Sequence, residues 1–293
     1  MKEIKTMKNL ASVKVIKEIL EESGFHFSKS LGQNFLIDEN VLDAIVSSSD
    51  IDSDTGVIEI GPGFGTLTQR LLMKAKKVVC IEIDSSAIPI LENNLSDFDN
   101  LKIINADVLK CNLRKIIEEE FDGEKVKVVA NLPYYITTPI IMHLLEENLN
   151  IDSITVMIQK EVALRLGANE GTKDYGAITL SVNYHAIPEI ITHVPPSSFI
   201  PQPKVSSTVI KLSLRDEKKV KVKNEKLLFS LIKAAFGQRR KTLLNALSNS
   251  NLLNCSKEEI SNCLTSCNIE PTRRGETLSL EEYALICEKL SDK

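Results

Sequence analysis

Between residues 40 and 215, short runs of β-branched and aliphatic residues alternate with segments of helical period. This alternation constrains the fold more than any other feature of the chain. Residues 57–60, 78–83, 101–104, 126–130, 154–158, 180–185 and 205–212 read as strands, short and apolar enough to be buried on both faces. Residues 67–73, 87–95 and 139–147 read as helices between them. Strand, helix, strand implies right-handed crossovers, and so an α/β fold whose mainly parallel sheet is covered on both sides. Less helix separates the last strands, which predicts an antiparallel edge.

Beyond Leu214 the pattern changes. Residues 227–248 keep helical period with a break at Gly237, and Ser256 and Ser279 each precede a glutamate by three positions, at Glu259 and Glu282. That spacing is a capping box, in which hydroxyl and carboxylate exchange bonds with the first-turn backbone. The expected organisation is a domain over residues 1–214, with an N-terminal helical extension, and a small all-helical domain over 215–293.

Composition excludes several classes. With 43% apolar and 26% charged residues the chain is an ordinary globular protein. No apolar run approaches the roughly 20 residues of a membrane helix, and the N-terminus carries charges where a secretory signal would be apolar. A cytoplasmic location and no membrane partner are expected. The six cysteines show no CxxC spacing and the four histidines no ligand pattern, so free thiols and no metal are expected. A net charge of −4 does not advertise nucleic-acid binding, but the charge is uneven. Lys218, Lys219, Lys221, Lys223 and Lys226 crowd one stretch, and Arg239-Arg240-Lys241 stands in a stretch without carboxylates. Most charge runs are solvated faces; the second is also suited to phosphate contacts at Arg239, Arg240 and Lys241.

The chemistry-bearing residues gather at strand ends. Val57-Ile-Glu-Ile-Gly-Pro-Gly-Phe-Gly-Thr66 sets Gly61, Gly63 and Gly65 at alternate positions directly after a strand. Glycines let the backbone turn tightly and approach a ligand. The dinucleotide fingerprint would require glycine at Thr66; ExGxGxG instead resembles motif I of the class I S-adenosylmethionine-dependent methyltransferases. Glu82 ends the next strand, 21 residues beyond Gly61, where a carboxylate can take both hydroxyls of a ribose. An isolated strand-end glutamate would be unremarkable by itself. Asp107 closes the third strand, where an acceptor suits an adenine amino group, and Asn131 ends the fourth. In an open α/β sheet that edge is the ligand edge. Ribose hydroxyls without a pyrophosphate cradle suit S-adenosylmethionine better than a nicotinamide dinucleotide.

Asn131-Leu132-Pro133-Tyr134 resembles motif IV of the amino-methyltransferases. An adenine N6 amine is a poor nucleophile because its lone pair is delocalised into the ring. Two acceptors aimed at its hydrogens, the Asn131 side-chain oxygen and the Leu132 carbonyl, favour a pyramidal nitrogen that can meet a methyl donor. Pro133 restricts Leu132 to extended geometry and so fixes that carbonyl. Tyr134 offers a ring face to a base swung out of its stack.

In sum of its motifs the chain resembles the ribosomal RNA adenine N6-dimethyltransferases that modify the small subunit, from about residue 25 to the C-terminus. The most specific element is Lys29-Ser-Leu-Gly-Gln-Asn-Phe-Leu-Ile-Asp38, which general methyltransferases lack. The resemblance implies a class I, Rossmann-like methyltransferase sheet with a C-terminal helical domain, and S-adenosylmethionine as cofactor. It implies cofactor contacts from Asn34 and Leu36, and a second aromatic face beside the target from Phe199, within the loop Val194-Pro-Pro-Ser-Ser-Phe-Ile-Pro-Gln-Pro-Lys-Val205. A proline-stiffened loop would equally well bury such a phenylalanine in the core. Family members often carry asparagine where this chain has Tyr135. The implied product is N6,N6-dimethyladenosine at two adjacent adenosines near the 3′ end of small-subunit RNA, either naked or in an immature subunit. Competing readings are the resistance-type enzyme that dimethylates large-subunit RNA, a non-catalytic RNA-binding assembly factor and, weakest, a dehydrogenase.

Overall fold

The computed structural model describes residues 8–25 and 32–291; Lys29, Ser30 and Leu31 of the N-terminal signature lie outside the described residues. The chain divides into two compact units. One comprises residues 1–163 and 189–214, the other 164–188 and 215–293. The sequence reading placed residues 164–188 with the first domain, but they cluster with the helical unit. Its apolar core draws on Tyr175, Leu180 and Tyr184 from this insertion alongside Leu228, Leu264 and Tyr283.

In chain order the elements begin with α1 (Val13–Ser23), β1 (Phe35–Leu36), α2 (Glu39–Ser48), β2 (Gly56–Ile60), α3 (Thr66–Leu72) and β3 (Lys77–Glu82). They continue with α4 (Ile88–Asn94), β4 (Leu101–Asn105), α5 (Leu113–Phe121), β5 (Val126–Asn131), α6 (Thr137–Glu146) and β6 (Ile151–Gln159). Then come α7 (Lys160–Leu166), α8 (Ala177–His185), β7 (Ala186–Val194), β8 (Phe199–Ile200) and β9 (Ser207–Leu214). The C-terminal helices are α9 (Glu225–Gly237), α10 (Leu243–Ser248), α11 (Lys257–Ser266) and α12 (Leu280–Ser291).

Seven strands form one sheet in the order β4-β3-β2-β5-β6-β9-β7. Strands β2 to β6 run parallel and β9 pairs antiparallel with β6, as the shorter late connections implied. Every residue of β2 is buried, and β3 is buried from Val78 onward. Each such aliphatic side chain contributes about 1.5–3 kcal/mol by leaving water. The chain builds outward from β2 through β3 to β4, then returns to β2's other side with β5. Strand order therefore reverses between β2 and β5, which opens a crevice at their carboxyl ends.

One predicted strand is a helix. Residues 180–185 belong to α8, in which Thr179, Leu180, Ser181, Val182, Tyr184 and His185 are all buried. A helix covered nearly all round has no polar face, so its sequence lacks the 3.6-residue alternation and reads as a buried strand. The strand lies just after it, at β7. Both predicted capping boxes form: Ser256 accepts from the Glu259 amide while Glu259 accepts from the Ser256 amide, and Ser279 and Glu282 reciprocate in the same way.

Candidate active site

A cleft lies at the carboxyl edge of the sheet, within the first unit. Four strand ends line it: Gly61 after β2, Glu82 ending β3, Asp107 after β4, and Asn131 with Leu132 at the tip of β5. Asn34, Leu36, Gly63 and Tyr134 join them, so nine of the residues singled out from sequence face one cavity.

The glycine loop shapes the cleft's floor. Gly61 and Gly63 have φ of 67° and 59°, which side chains rarely tolerate. A Cβ on Gly63 would stand 2.6 Å from Cε1 of Phe35, whose ring stacks on Phe64 at 4.2 Å between centroids. A Cβ on Gly61 would meet no protein atom within 4 Å, so the room beside that glycine belongs to the cleft it lines. Gly65 does not line the cleft. It caps α3, and a Cβ there would press at 2.9 Å against Leu91 of α4 and against Leu95 just beyond that helix.

Glu82 is 6% exposed. Its carboxylate accepts from the Gly63 amide at 3.3 Å and the Asp84 amide at 2.8 Å, which fixes its plane and leaves each oxygen a lone pair. Burial raises its pKa above the ordinary 4.5, against the pull of those two amides. Beneath it Glu59 is fully buried, and burial pushes its carboxyl to about 8 while the Cys80 thiol donates to it at 3.6 Å. Burial thus favours the neutral acid at Glu59.

Segment 32–36 is tied across this edge at several points. Gln33 donates to Asp84 at 2.7 Å, β1 pairs with β8, and the Asn131 side-chain amide donates to the Asn34 carbonyl at 3.0 Å. Burial opposes ionisation of Asp84, but hydrogen bonds from Ser86 and Gln33 outweigh it and hold that carboxyl below its usual range. The sequence reading gives Gln33 and Asp84 no role, and their pairing across 51 residues has no local signal in the sequence.

At the tip of β5, the Leu132 amide bonds to Met157 O at 3.1 Å, continuing the ladder one residue past the strand. The Pro133 carbonyl accepts from the Ile136 amide and the Thr137 hydroxyl, closing the turn into α6. Tyr134 is half-buried and its hydroxyl pairs with Ser207 Oγ at 2.7 Å, a partner 73 residues away that the sequence reading missed. Burial raises the Tyr134 pKa, so the phenol stays neutral.

Phe199 is placed elsewhere. It is 1% exposed, opposite Leu36 in the β1–β8 pair, and packs in the main apolar cluster; the cleft is lined without it. Its loop buries the ring rather than presenting it, so the expected second aromatic face is absent from this geometry. Arg239, Arg240 and Lys241 are exposed in the turn between α9 and α10 of the second unit. Arg239 donates to the carbonyls of Lys173 and Tyr175 at 3.0 and 2.9 Å, and so also anchors the inserted segment. The earlier lysine run is largely compensated: Lys219, Lys221 and Lys223 pair with Glu281, Glu217 and Glu288, and Lys218 contacts the His185 ring.

The residues present fit S-adenosylmethionine. There is open room at Gly61, a fixed carboxylate at Glu82 for vicinal hydroxyls, an acceptor at Asp107 and, among the described residues, no basic side chain lining the cleft that would call for a pyrophosphate. Among the described residues, no group of three or more His, Cys, Asp or Glu could hold a metal ion.

Sheet order, glycine loop and strand-end acids together define a class I S-adenosylmethionine-dependent methyltransferase. A family model for ribosomal RNA adenine dimethylases matches residues 24–286, and the chain belongs to that family. A ribosomal RNA small subunit methyltransferase A of Alkaliphilus metalliredigens (strain QYMF) is 56% identical over 285 residues, covering 97% of this chain and 99% of the relative. Among solved structures, a dimethyladenosine transferase from Plasmodium falciparum superposes with a TM-score of 0.73 at 27% identity, over 88% of this chain and 98% of that one. The 23S rRNA methyltransferase ErmE gives 0.66 at 25% identity, over 88% and 99%.

Proposed function

We infer that this protein transfers methyl groups from S-adenosylmethionine to the N6 amino groups of two adjacent adenosines near the 3′ end of small-subunit ribosomal RNA. It dimethylates each, and acts in the cytoplasm during assembly of the small subunit. The 56% identity to a small-subunit methyltransferase across 97% of the chain favours this acceptor over large-subunit RNA, whose enzyme ErmE is 25% identical.

The observation that carries the chemistry is the bond from Asn131 Nδ2 to the Asn34 carbonyl. With the amide nitrogen committed, Oδ1 is the atom left to accept from an incoming amine. Leu132 O stands next to it and accepts no bond from the described residues of the turn, whereas the Pro133 carbonyl is taken. Two acceptors at one strand tip can bind the amine hydrogens and hold the nitrogen lone pair toward the donor. S-adenosylmethionine supplies an electrophilic methyl on a sulfonium. Glu82 takes the ribose hydroxyls, Asp107 the adenine amine, and Asn34, Leu36, Gly61 and Gly63 enclose the remainder. Tyr134 stacks on the extruded base, its ring held by Ser207. Arg239, Arg240 and Lys241 contribute sequence-independent phosphate contacts in the 215–293 domain.

Accepting a second methyl requires that the amine bind after losing one hydrogen, so one of the two acceptor bonds must be dispensable. Incubation of undermethylated small and large ribosomal subunits with labelled cofactor tests the assignment. Label in small-subunit RNA is expected; label confined to large-subunit RNA would refute it.

A further inference from the structure

Tyr135 is the residue of the cleft that the reading above leaves without work. It lines the cleft yet is 56% exposed, and it is the only aromatic among the large exposed hydrophobic side chains of the described residues. The turn closed by Ile136 N and Pro133 O sends the two neighbouring rings into different surroundings. Tyr134 reaches Ser207, whereas Tyr135 runs beside Gly32, where a Cβ would sit 3.5 Å from its Cδ1. The second exposed apolar side chain of the cleft, Ile83, adjoins Glu82 at the tip of β3, on the cofactor's side. Tyr135 follows Asn131 by four residues and so belongs to the acceptor's side.

We propose that Tyr135 is a stacking platform for the base of the adenosine adjoining the one whose amine occupies the Asn131 acceptors. This rests on the function proposed above and adds a substrate contact to it. Extruding one nucleotide strips its neighbour of a stacking partner, and an exposed ring at the cleft mouth can replace that face. The tandem substrate always presents an adenine there, methylated or not, and a π-face accepts either. The ring thus favours keeping the pair engaged between successive transfers.

Tyr135→Asn removes the ring and keeps a turn-compatible residue, and Tyr135→Phe keeps the ring without the hydroxyl. For undermethylated small subunits, the Asn variant is expected to raise KM roughly five- to a hundredfold, the loss of one base stack, with kcat little changed. The Phe variant should restore the native KM, and both should bind S-adenosylmethionine with native affinity. A fluorescent adenine analogue placed beside the target should be quenched by native protein and the Phe variant but not by the Asn variant. An unchanged KM in Tyr135→Asn, or a parallel loss of cofactor affinity showing that the ring only supports segment 32–36, would overturn the proposal. Native protein that transfers no methyl to these subunits would instead overturn the function on which it rests.

Discussion

Asn131 and Asn34, 97 residues apart, meet where the Asn131 side-chain amide donates to the Asn34 backbone carbonyl at 3.0 Å. This bond couples the segment beside the cofactor room to the strand tip proposed to hold the reacting amine. It also sets the amide's orientation, with one N–H turned to the protein and the oxygen proposed to face substrate. A cofactor-side segment and an acceptor-side loop thus share one hydrogen bond.

The same segment is held by Gln33, which donates to Asp84 at 2.7 Å. Gln33→Ala should weaken S-adenosylmethionine binding roughly three- to tenfold, the net worth of one ordinary hydrogen bond, while leaving the denaturant midpoint near native. Titration calorimetry checks the first and chemical denaturation the second.

In its proposed role as the ribose acceptor, Glu82 should give cofactor binding a pH dependence of defined sign. Its carboxylate must be ionised to accept two hydroxyl bonds, so affinity is full above its pKa and declines as pH falls through it. Burial places that pKa above the ordinary 4.5, so the decline begins at higher pH than for an exposed glutamate. Glu82→Gln should lose about ten- to a hundredfold in affinity near neutrality and show a flat profile on acidification. Binding isotherms across a pH series measure both.

Gly63→Ala should be costly twice over. The methyl would stand 2.6 Å from the Phe35 ring, and the φ of 59° strains any side chain. A loss of about 1–3 kcal/mol in unfolding free energy is expected, with weaker cofactor binding. In a Phe35→Ala background, itself destabilised by loss of the buried ring, the Gly63→Ala penalty should shrink but not vanish, because only the clash and not the backbone strain is relieved. Denaturant unfolding of the single and double variants separates the two terms.

The basic turn divides into unlike residues. Arg239 binds the Lys173 and Tyr175 carbonyls, so Arg239→Ala should cost about 1 kcal/mol of stability as well as RNA affinity. Arg240→Ala and Lys241→Ala should leave stability native and each reduce the salt slope of RNA binding by roughly one. A salt series of RNA affinities beside a thermal melt distinguishes them.

The gathering of the glycine loop, the acids and Asn131 at one cleft was legible in sequence because they sit at or just past strand ends. Glycines for positive φ at Gly61 and Gly63, Glu82, Asp107 and Asn131 each follow an apolar run by a fixed offset, and the parallel sheet gathers such positions along one edge. What escaped was set by distant packing. Leu180 and its neighbours read as a strand because α8 is buried nearly all round. The Tyr134–Ser207 and Gln33–Asp84 pairs join segments that share no local pattern. Phe199 has the residue type of a stacking face, yet its partners in the β1–β8 pair bury it, and that burial follows from the fold of the whole unit.

The central claim is that the Asn131 amide oxygen at the tip of β5 receives the amine that is methylated. Its most direct test is single-turnover methyl transfer to undermethylated small subunits by native protein and Asn131→Ala, with cofactor affinity measured on the same preparations. The expected result is two dimethyladenosines by mass analysis with native protein, and with the variant a rate lowered at least about a hundredfold at near-native cofactor affinity. A variant that transfers at the native rate, or whose cofactor affinity falls as far as its rate, would contradict it.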